Sequence, residues 1–373
     1  MESRNMSKVV LAMSGGVDSS VAAAILKEQG YQIIGITMQI WPSHQLAKQT
    51  ERFEGCCGTS AIADARRVAQ QLEIPHYVMN LRDAFAQKVV ADFCQEYSRG
   101  RTPNPCIRCN QHIKFGALIE RARGLSVDFV ATGHYARIEK ADGQYLLKKG
   151  VDSNKDQSYV LYTLTQNQLE QTLMPLGSLT KSRVRQIARE LGLPVAEKPE
   201  SQEICFIPDN KYSGFIEERL PQAPKPGPLM DREGNVLGEH RGIIHYTIGQ
   251  RRGLGIAARE PLYVIAIDPG RNAVIIGSKN ETYSNALVAA DVNWIDLKKP
   301  EHPIAIEAKI RYHHKEAKAL ITPLSDSRVR VEFEQPQMAI TPGQAVVFYQ
   351  GDIVIGGGTI ERGFSIDDPA PEQ

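Results

Sequence analysis

The chain has no uninterrupted apolar run long enough to cross a bilayer, and its first residues lack the apolar core of a secretion signal; a cytoplasmic protein with no membrane partner is expected. Cysteine is scarce. Six fall among 373 residues, at positions 56, 57, 94, 106, 109 and 205, too few and too unevenly spread for a secreted disulfide framework. In a reducing compartment such residues are catalytic, metal-binding or simply buried. A dominant charge is missing as well: a net charge of +1 neither argues for a nucleic-acid partner nor excludes one, because a local basic stripe can be offset by acidic residues elsewhere. Internal repeats and low-complexity tracts are absent. What remains is an ordinary globular composition, 42% hydrophobic and 23% charged, with length for two or three domains.

Against this background one segment stands out, Ser14 to Ser20, reading SGGVDSS. It follows the apolar run Val9 to Met13, a short buried strand, and leads into Val17 to Gln29, where Val21, Ala22, Ile25 and Leu26 recur at helical spacing. A loop between strand and helix faces the unpaired N–H groups and the positive dipole end of that helix, a place for an anion. Gly15 and Gly16 allow positive φ and close backbone approach, Ser14, Ser19 and Ser20 can each donate a hydroxyl hydrogen bond, and Asp18 could help hold Mg2+. The loop fits neither GxxxxGK[ST] nor GxGxxG. It resembles instead the SGGxDS signature of the PP-loop ATP pyrophosphatases, which implies cleavage of ATP between its α and β phosphates and transfer of AMP to a substrate oxygen.

The first half alternates strands (near 8–13, 32–38, 76–80 and 127–132) with helices (17–29, 60–72, 83–97 and 113–123), the order of a parallel α/β sheet. The loops after Met13, Met38 and Thr132 are then expected to share one site beyond the carboxyl ends of the strands. A hairpin turns at Asp142-Gly143 within 135–149, and helices are expected near 166–174 and 181–191. Pro221, Pro224, Pro226 and Pro228 crowd a stretch that reads as a linker. Short alternating strands follow to the C-terminus: 262–267, 273–276, 305–312, 317–322, 329–333, 345–349 and 353–360, the pattern of a small barrel. The expected architecture is a Rossmann-like α/β PP-loop domain over 1–210, of the adenine nucleotide α-hydrolase type, then a β-rich connector over 211–285 and a C-terminal β-barrel over 286–373.

Two of the cysteines lie in Thr102-Pro103-Asn104-Pro105-Cys106-Ile107-Arg108-Cys109-Asn110, read as an extended segment held by its prolines. Arg99, Arg101 and Arg108 nearby would favour thiolate at Cys106 or Cys109. Cys205 stands far along the chain in Ser201-Gln202-Glu203-Ile204-Cys205-Phe206. A thiol beside an adenylated substrate could deliver sulfur. The adjacent Cys56 and Cys57 are poorly placed to chelate one metal and read as structural, and Cys94, on the apolar side of its helix, reads as core.

SGGVDSS, TPNPCIRCN, TGHYAR (132–137), KDQSY (155–159), SQEICF (201–206) and GQRRGLG (249–255) occur in one order. Together they resemble the tRNA-specific 2-thiouridylases, the MnmA/TrmU family, along essentially the whole chain. The resemblance implies that ATP adenylates the C2 oxygen of wobble uridine 34 in the anticodon arm of certain tRNAs and that a persulfide sulfur then replaces that oxygen. It implies Cys205 as persulfide carrier and Cys109 as partner nucleophile, ending in a disulfide between them. Their Cα atoms must then come within about 7 Å, which demands a mobile loop. Ala12, Met13, Ser14, Gly15, Gly16, Val17, Asp18 and Ser19 would line the ATP phosphates, with Met38 and Gly133 at adenine or ribose. Asn104, Pro105 and Cys106 would meet the target base, and His134, Lys155, Asp156, Gln157, Arg311, Tyr312 and Gln344 would touch tRNA. The sulfur would come from a persulfide or sulfide donor, such as a cysteine desulfurase or a relay protein.

Position 106 departs from the family pattern, with NPCxxCN where NPDxxCN is usual. Cys106, Cys109 and Cys205 supply three soft thiolates that could hold a four-iron four-sulfur cluster. Zinc with His112 and a reversible Cys106–Cys109 disulfide are the other options. Lys309, Arg311, His313, His314, Lys315 and Lys318, with Tyr312 interleaved, form a basic stretch suited to phosphates, although a solvated strand face explains each alone. Two other functions stay open: a PP-loop synthetase amidating a small molecule, separable by whether pyrophosphate release needs tRNA, and a non-catalytic RNA- or metal-binding protein, for which Asp18 would be dispensable.

Overall fold

The computed structural model describes residues 7–40, 59–199, 204–207, 211–295, 299–325 and 327–365. Cys56 and Cys57, and Ser201 to Glu203 of the SQEICF motif, lie outside these residues. By its contacts the chain divides into two compact units, one of Met1–Val90, Cys106–Asn210 and Asp352–Val354, the other of Ala91–Pro105, Lys211–Gly351 and Ile355–Gln373.

The first unit is built on β1 (Lys8–Ala12), α1 (Val17–Glu28), β2 (Gln32–Gln39), α2 (Thr59–Gln71), β3 (His76–Asn80), α3 (Pro105–Cys109), β4 (Phe129–Ala131), the hairpin β5 (Ala136–Ala141) and β6 (Gln144–Lys149), β7 (Thr172–Leu173) and α4 (Lys181–Glu190). Its sheet runs β3-β2-β1-β4-β7 with every pairing parallel. Val9, Val10 and Leu11 are wholly buried, as befits a central parallel strand covered on both faces. One core joins Val9 and Leu11 of β1 to Val21, Ala22 and Leu26 of α1, Ala65 and Val68 of α2 and Val184 and Ala188 of α4. The strand order reverses between β1 and β4, so the crevice for a ligand opens beyond their carboxyl ends. The hairpin turns through Asp142 and Gly143, both at positive φ, and β6 pairs with Ile353 and Val354.

Three sequence expectations change here. The stretch read as extended becomes helical from Pro105, which occupies the first helical position, where a missing N–H costs nothing; a π-helix over Asn110–Ala117 and an α-helix over Leu118–Arg123 continue it. The helix expected over 83–97 is interrupted by a π-helix at Ala86–Val90. The helix expected over 166–174 stops at Glu170, and Thr172–Leu173 joins the sheet as β7.

In the second unit, β8 (Gly227–Met230), β9 (Val236–His240), β10 (Tyr263–Asp268) and β11 (Ala273–Gly277) form a sheet ordered β10-β11-β8-β9 over Leu229, Tyr246, Leu254, Val264, Val274 and Ile276. Pro228, read as linker, lies inside β8; only Leu229 and Met230 pair with β11, so the proline faces one neighbouring strand rather than two. The β-barrel is made by β12 (Tyr283–Trp294), β13 (Ile304–Lys309), β14 (Ala317–Pro323), β15 (Val329–Met338), β16 (Ala345–Gln350) and β17 (Ile353–Phe364). They follow the order β12-β15-β14-β13-β16-β17, and pairing of β12 with β17 closes the ring.

Candidate active site

The loop after β1 is shaped by its glycines. Gly15 has φ +68°, and a Cβ there would lie 2.1 Å from the Ala61 carbonyl oxygen, so only glycine fits. Gly16 is the N-cap of α1 with extended backbone and no side-chain cap, and a Cβ on it would meet nothing closer than Ser14 Oγ at 3.5 Å. No side chain caps the start of α1, and there is room beside Gly16. Gly133, after β4, packs against the same turn; a Cβ there would come 2.9 Å from the Ser19 nitrogen. Beneath the loop, Met13 N donates to Ile36 O at 2.8 Å and Thr37 Oγ1 to Met13 O at 2.8 Å.

The serines do not all serve as expected. Ser20 Oγ donates to Gly16 O at 2.8 Å, Ser19 Oγ donates to the same carbonyl at 3.2 Å, and Ser19 Oγ also accepts from Ser14 N at 3.2 Å. Both are buried. These hydroxyls brace the loop from within, which leaves its backbone N–H groups as the candidate donors to an anion. An uncapped 12-residue helix behind a glycine pair fits a polyphosphate chain. Val17 is buried, and half-buried Met38 near the end of β2 shares the carboxyl edge with Ala12, Met13 and Gly133.

The surroundings of Asp18 had no sequence signal. Lys181, the first residue of α4, places Nζ 2.7 and 2.8 Å from the two Asp18 oxygens, and Tyr135 Oη donates to Oδ1 at 2.6 Å. Lys198 Nζ donates to the Gly15 carbonyl at 3.2 Å and to Asp64 Oδ2 at 2.7 Å. Two lysines more than 160 residues away in sequence thus grip the loop, one by its aspartate and one by its backbone. Nothing around Thr180-Lys181-Ser182 or Glu197-Lys198-Pro199 marks them in the sequence.

Cys109 ends α3 and is half-buried, while Cys106 one turn earlier is exposed. The adjoining Asn110 is buried and donates to Val160 O at 2.9 Å, anchoring the start of the π-helix. Cys205 is half-buried in the turn closed by Ile207 N to Ile204 O; Phe206 beside it is buried edge-on against Phe85. Among the described residues no group of three His, Cys, Asp or Glu side chains could hold a metal ion. In this structure Cys106, Cys109 and Cys205 therefore do not form the expected cluster site, nor does His112 complete a zinc site. Of the arginines nearby in sequence, Arg101 pairs with Glu96 at 2.6 Å, Arg99 with Glu96 at 3.6 Å, and Arg108 donates to Gln111 at 3.2 Å. Cys94 is buried, which pushes its thiol pKa up.

Comparison with known proteins decides the relationship. A family model described as tRNA methyl transferase HUP domain matches residues 7–209, a tRNA methyl transferase PRC-barrel domain matches 213–278 and an aminomethyltransferase beta-barrel domain matches 284–360. A tRNA-specific 2-thiouridylase MnmA of Acetivibrio thermocellus is 56% identical over 357 residues, 95% of this chain and 99% of that protein. Another, from Clostridium perfringens, is 54% identical over 354 residues, 95% and 98% of the two chains. The chain belongs to the 2-thiouridylase family.

The residues that this family membership would turn toward RNA are placed unevenly. His134 is buried, its Nδ1 2.7 Å from Thr132 Oγ1 and its Nε2 3.3 Å from Lys114 Nζ; burial first, and Lys114 second, hold its pKa well below the usual value. Asp156 is buried and accepts from Gly150 N, Ser158 N and Ser158 Oγ at 3.0, 3.1 and 2.8 Å. Gln157 clamps the Tyr135 backbone, N to O at 2.9 Å and Oε1 from N at 3.0 Å, while Lys155 is half-buried. The side chains of His134, Asp156 and Gln157 are thus engaged within the protein.

In the second unit Arg311 donates into the carbonyls of Met338 and Ala339. Tyr312 stacks edge-on with His313, its ring 6.0 Å from Lys309 Nζ. Burial, then Arg311 and Lys309, lower the pKa of His314, so the basic stretch carries less charge than its composition suggests. Gln344 Nε2 donates to Thr102 O at 2.7 Å, Thr102 N donates to Pro342 O at 2.8 Å, and Gly343 at φ +89° lets the two backbones approach. The barrel thereby holds the segment that leads into half-buried Asn104 and buried Pro105.

Proposed function

We propose that this chain is an ATP-dependent tRNA-uridine 2-sulfurtransferase acting in the cytoplasm on wobble uridine 34. The observation that carries the reading is that one compact unit holds both an uncapped, glycine-shaped phosphate loop and the thiols Cys109 and Cys205. In the reaction the C2 oxygen of the uridine attacks the α-phosphate of ATP, pyrophosphate departs, and the adenylated oxygen becomes a leaving group. The terminal sulfur of a persulfide on Cys205 then attacks C2, AMP leaves, and Cys109 thiolate attacks the Cys205 sulfur, releasing 2-thiouridine and leaving a Cys109–Cys205 disulfide. The uridine flips out of its loop stack to reach the site. An external thiol resets the disulfide, and a cysteine desulfurase or relay protein reloads Cys205.

Ala12 to Ser19 hold the phosphates, with Met38 and Gly133 at the nucleoside; Asn104, Pro105 and Cys106 meet the base, and Lys155, Tyr312 and the barrel over 286–373 bear on the anticodon arm. The chain works as three parts, 1–210, 211–285 and 286–373. Mg2+ would be held chiefly by the phosphates of ATP and would offset their charge, since the Asp18 carboxylate is already engaged by Lys181 and Tyr135. A four-iron four-sulfur cluster on Cys106, Cys109 and Cys205 would supply an open iron for sulfide, but it requires the three thiols to converge, so the free persulfide is the better-supported route. The test is nucleoside mass spectrometry of tRNA incubated with the purified protein, ATP, magnesium and a persulfide donor (a cysteine desulfurase with free cysteine, no inorganic sulfide), with an iron assay alongside. 2-Thiouridine formed by iron-free protein establishes the persulfide route; no 2-thiouridine under any condition refutes the function.

A further inference from the structure

We infer that Lys181 is a catalytic residue of the adenylation step, a cation held by Asp18 that turns onto the phosphates when ATP binds and so stands in place before pyrophosphate leaves. The base of this side chain is fixed. Lys181 opens the ten-residue helix α4, its backbone N–H donates to Asp152 Oδ2 at 2.9 Å, and Thr180 caps the helix by accepting from Arg183 N at 3.3 Å. Its stem is buried to 11% exposure, and its ammonium ends on both oxygens of Asp18, with the Tyr135 ring 5.8 Å away. Asp18 stands in the first turn of α1, where the uncapped N–H groups receive the anion.

That placement sets two demands. A carboxylate beside a polyphosphate repels it unless a cation is present, and Lys181 is the cation the loop's aspartate binds. A lysine ammonium is a compact charge on a flexible stem, able to move its donors a few ångströms from a carboxylate to a phosphate oxygen. Charge on the bridging and β-phosphate oxygens rises as the bond to the α-phosphorus breaks, and a donor already in place stabilises that charge without reorganisation. Lys198 offers the contrast: it holds the Gly15 carbonyl and Asp64, and so fixes the loop's backbone rather than its charge.

The inference rests on the proposed adenylation for its substrate, and the alternative is that Lys181 is merely a counter-ion for Asp18. Lys181→Met, Lys181→Arg, Asp18→Asn and the double variant Asp18→Asn/Lys181→Met separate the two, with ATP affinity, tRNA-dependent pyrophosphate release and 2-thiouridine all measured. Circular dichroism checks the fold of each, and the double variant removes both members of the ion pair together. Lys181→Met should lower kcat for pyrophosphate release about 100- to 1,000-fold while ATP affinity changes less than about tenfold. Lys181→Arg should recover part of the rate, and the double variant should stay as slow as Lys181→Met. Recovery of the double variant to the rate of Asp18→Asn would show a counter-ion only and overturn the inference. Wild-type protein that releases pyrophosphate without making 2-thiouridine would refute the proposed function, while the same variants, read on pyrophosphate, still decide the role of Lys181.

Discussion

The phosphate loop and the thiol segments lie in the same unit, yet they are built to different standards. The loop is fixed from every side: glycines at positions where a Cβ would collide, serine hydroxyls turned inward, a threonine bond beneath it and two lysines gripping it. The thiol side has one exposed cysteine and two half-buried ones, and among the described residues no three potential ligands gather. The contrast matches the chemistry. Cleaving ATP requires donors preorganised before the charge develops, because reorganising them during the reaction costs rate. The proposed sulfur transfer would have Cys205 accept sulfur from outside, attack the base and then meet Cys109, and a residue with three successive partners would be poorly served by a locked position.

If the halves are separable, breaking one leaves the other. Cys109→Ser and Cys205→Ser should each reduce 2-thiouridine to background while tRNA-dependent pyrophosphate release stays within about tenfold of wild type. Parallel loss of both products in either variant would mean that the thiols belong to the activation step as well. On the loop side, the glycines should differ from each other. Gly15→Ala combines positive φ with the Ala61 carbonyl, so it should cost about 2 kcal/mol or more of stability and abolish ATP binding. Gly16→Ala has ordinary φ and room, so the fold should hold within about 0.5 kcal/mol while its methyl group obstructs the phosphate; thermal melts with and without ATP measure both.

The same contrast explains what was legible in the sequence. SGGVDSS is contiguous, and its strand and helix follow from local periodicity, so the loop and the parallel sheet could be read directly. The hold of Lys181 and Lys198 on it depends on tertiary approach across 163 and 183 residues, for which no local pattern exists. Proline misled twice. Pro105 reads as a helix breaker yet begins α3, because the first helical N–H has no partner to lose, and Pro228 reads as linker yet lies where β8 has one neighbour. Motif residues assigned to RNA by resemblance include His134, Asp156 and Gln157, whose side chains bond inward, because position in a motif carries no information about which way a side chain faces.

His134 offers a pH test of the rigid half. Its folded pKa lies well below the usual 6.5, chiefly through burial, so the native state excludes a proton that the unfolded chain binds. Stability is full above pH 6.5 and declines as pH falls toward the folded pKa, by at most about 1.4 kcal/mol per pH unit from this one group. Replacing His134 by Gln, which can still bond Thr132, should flatten that decline in denaturation curves taken between pH 5 and 7.5. An unchanged slope would assign the decline to other groups.

The smallest expected effect bears on how the segment proposed to meet the base is held. Gln344, assigned to tRNA by resemblance, bonds the Thr102 carbonyl, two residues before Asn104. If its role is to position that segment, Gln344→Ala removes one hydrogen bond worth about 1 kcal/mol, and kcat for thiolation should fall roughly fivefold with tRNA affinity unchanged. If its role is to contact tRNA, affinity should weaken and kcat at saturating tRNA should hold. Gln344→Glu keeps an oxygen but loses the donor to Thr102, so it should match Gln344→Ala in kcat under the positioning role. Mobility-shift titrations beside single-turnover thiolation distinguish these outcomes. A pure affinity effect would place this edge of the barrel on the RNA, whereas a pure rate effect would make the barrel part of the machinery that presents the uridine to the preorganised loop.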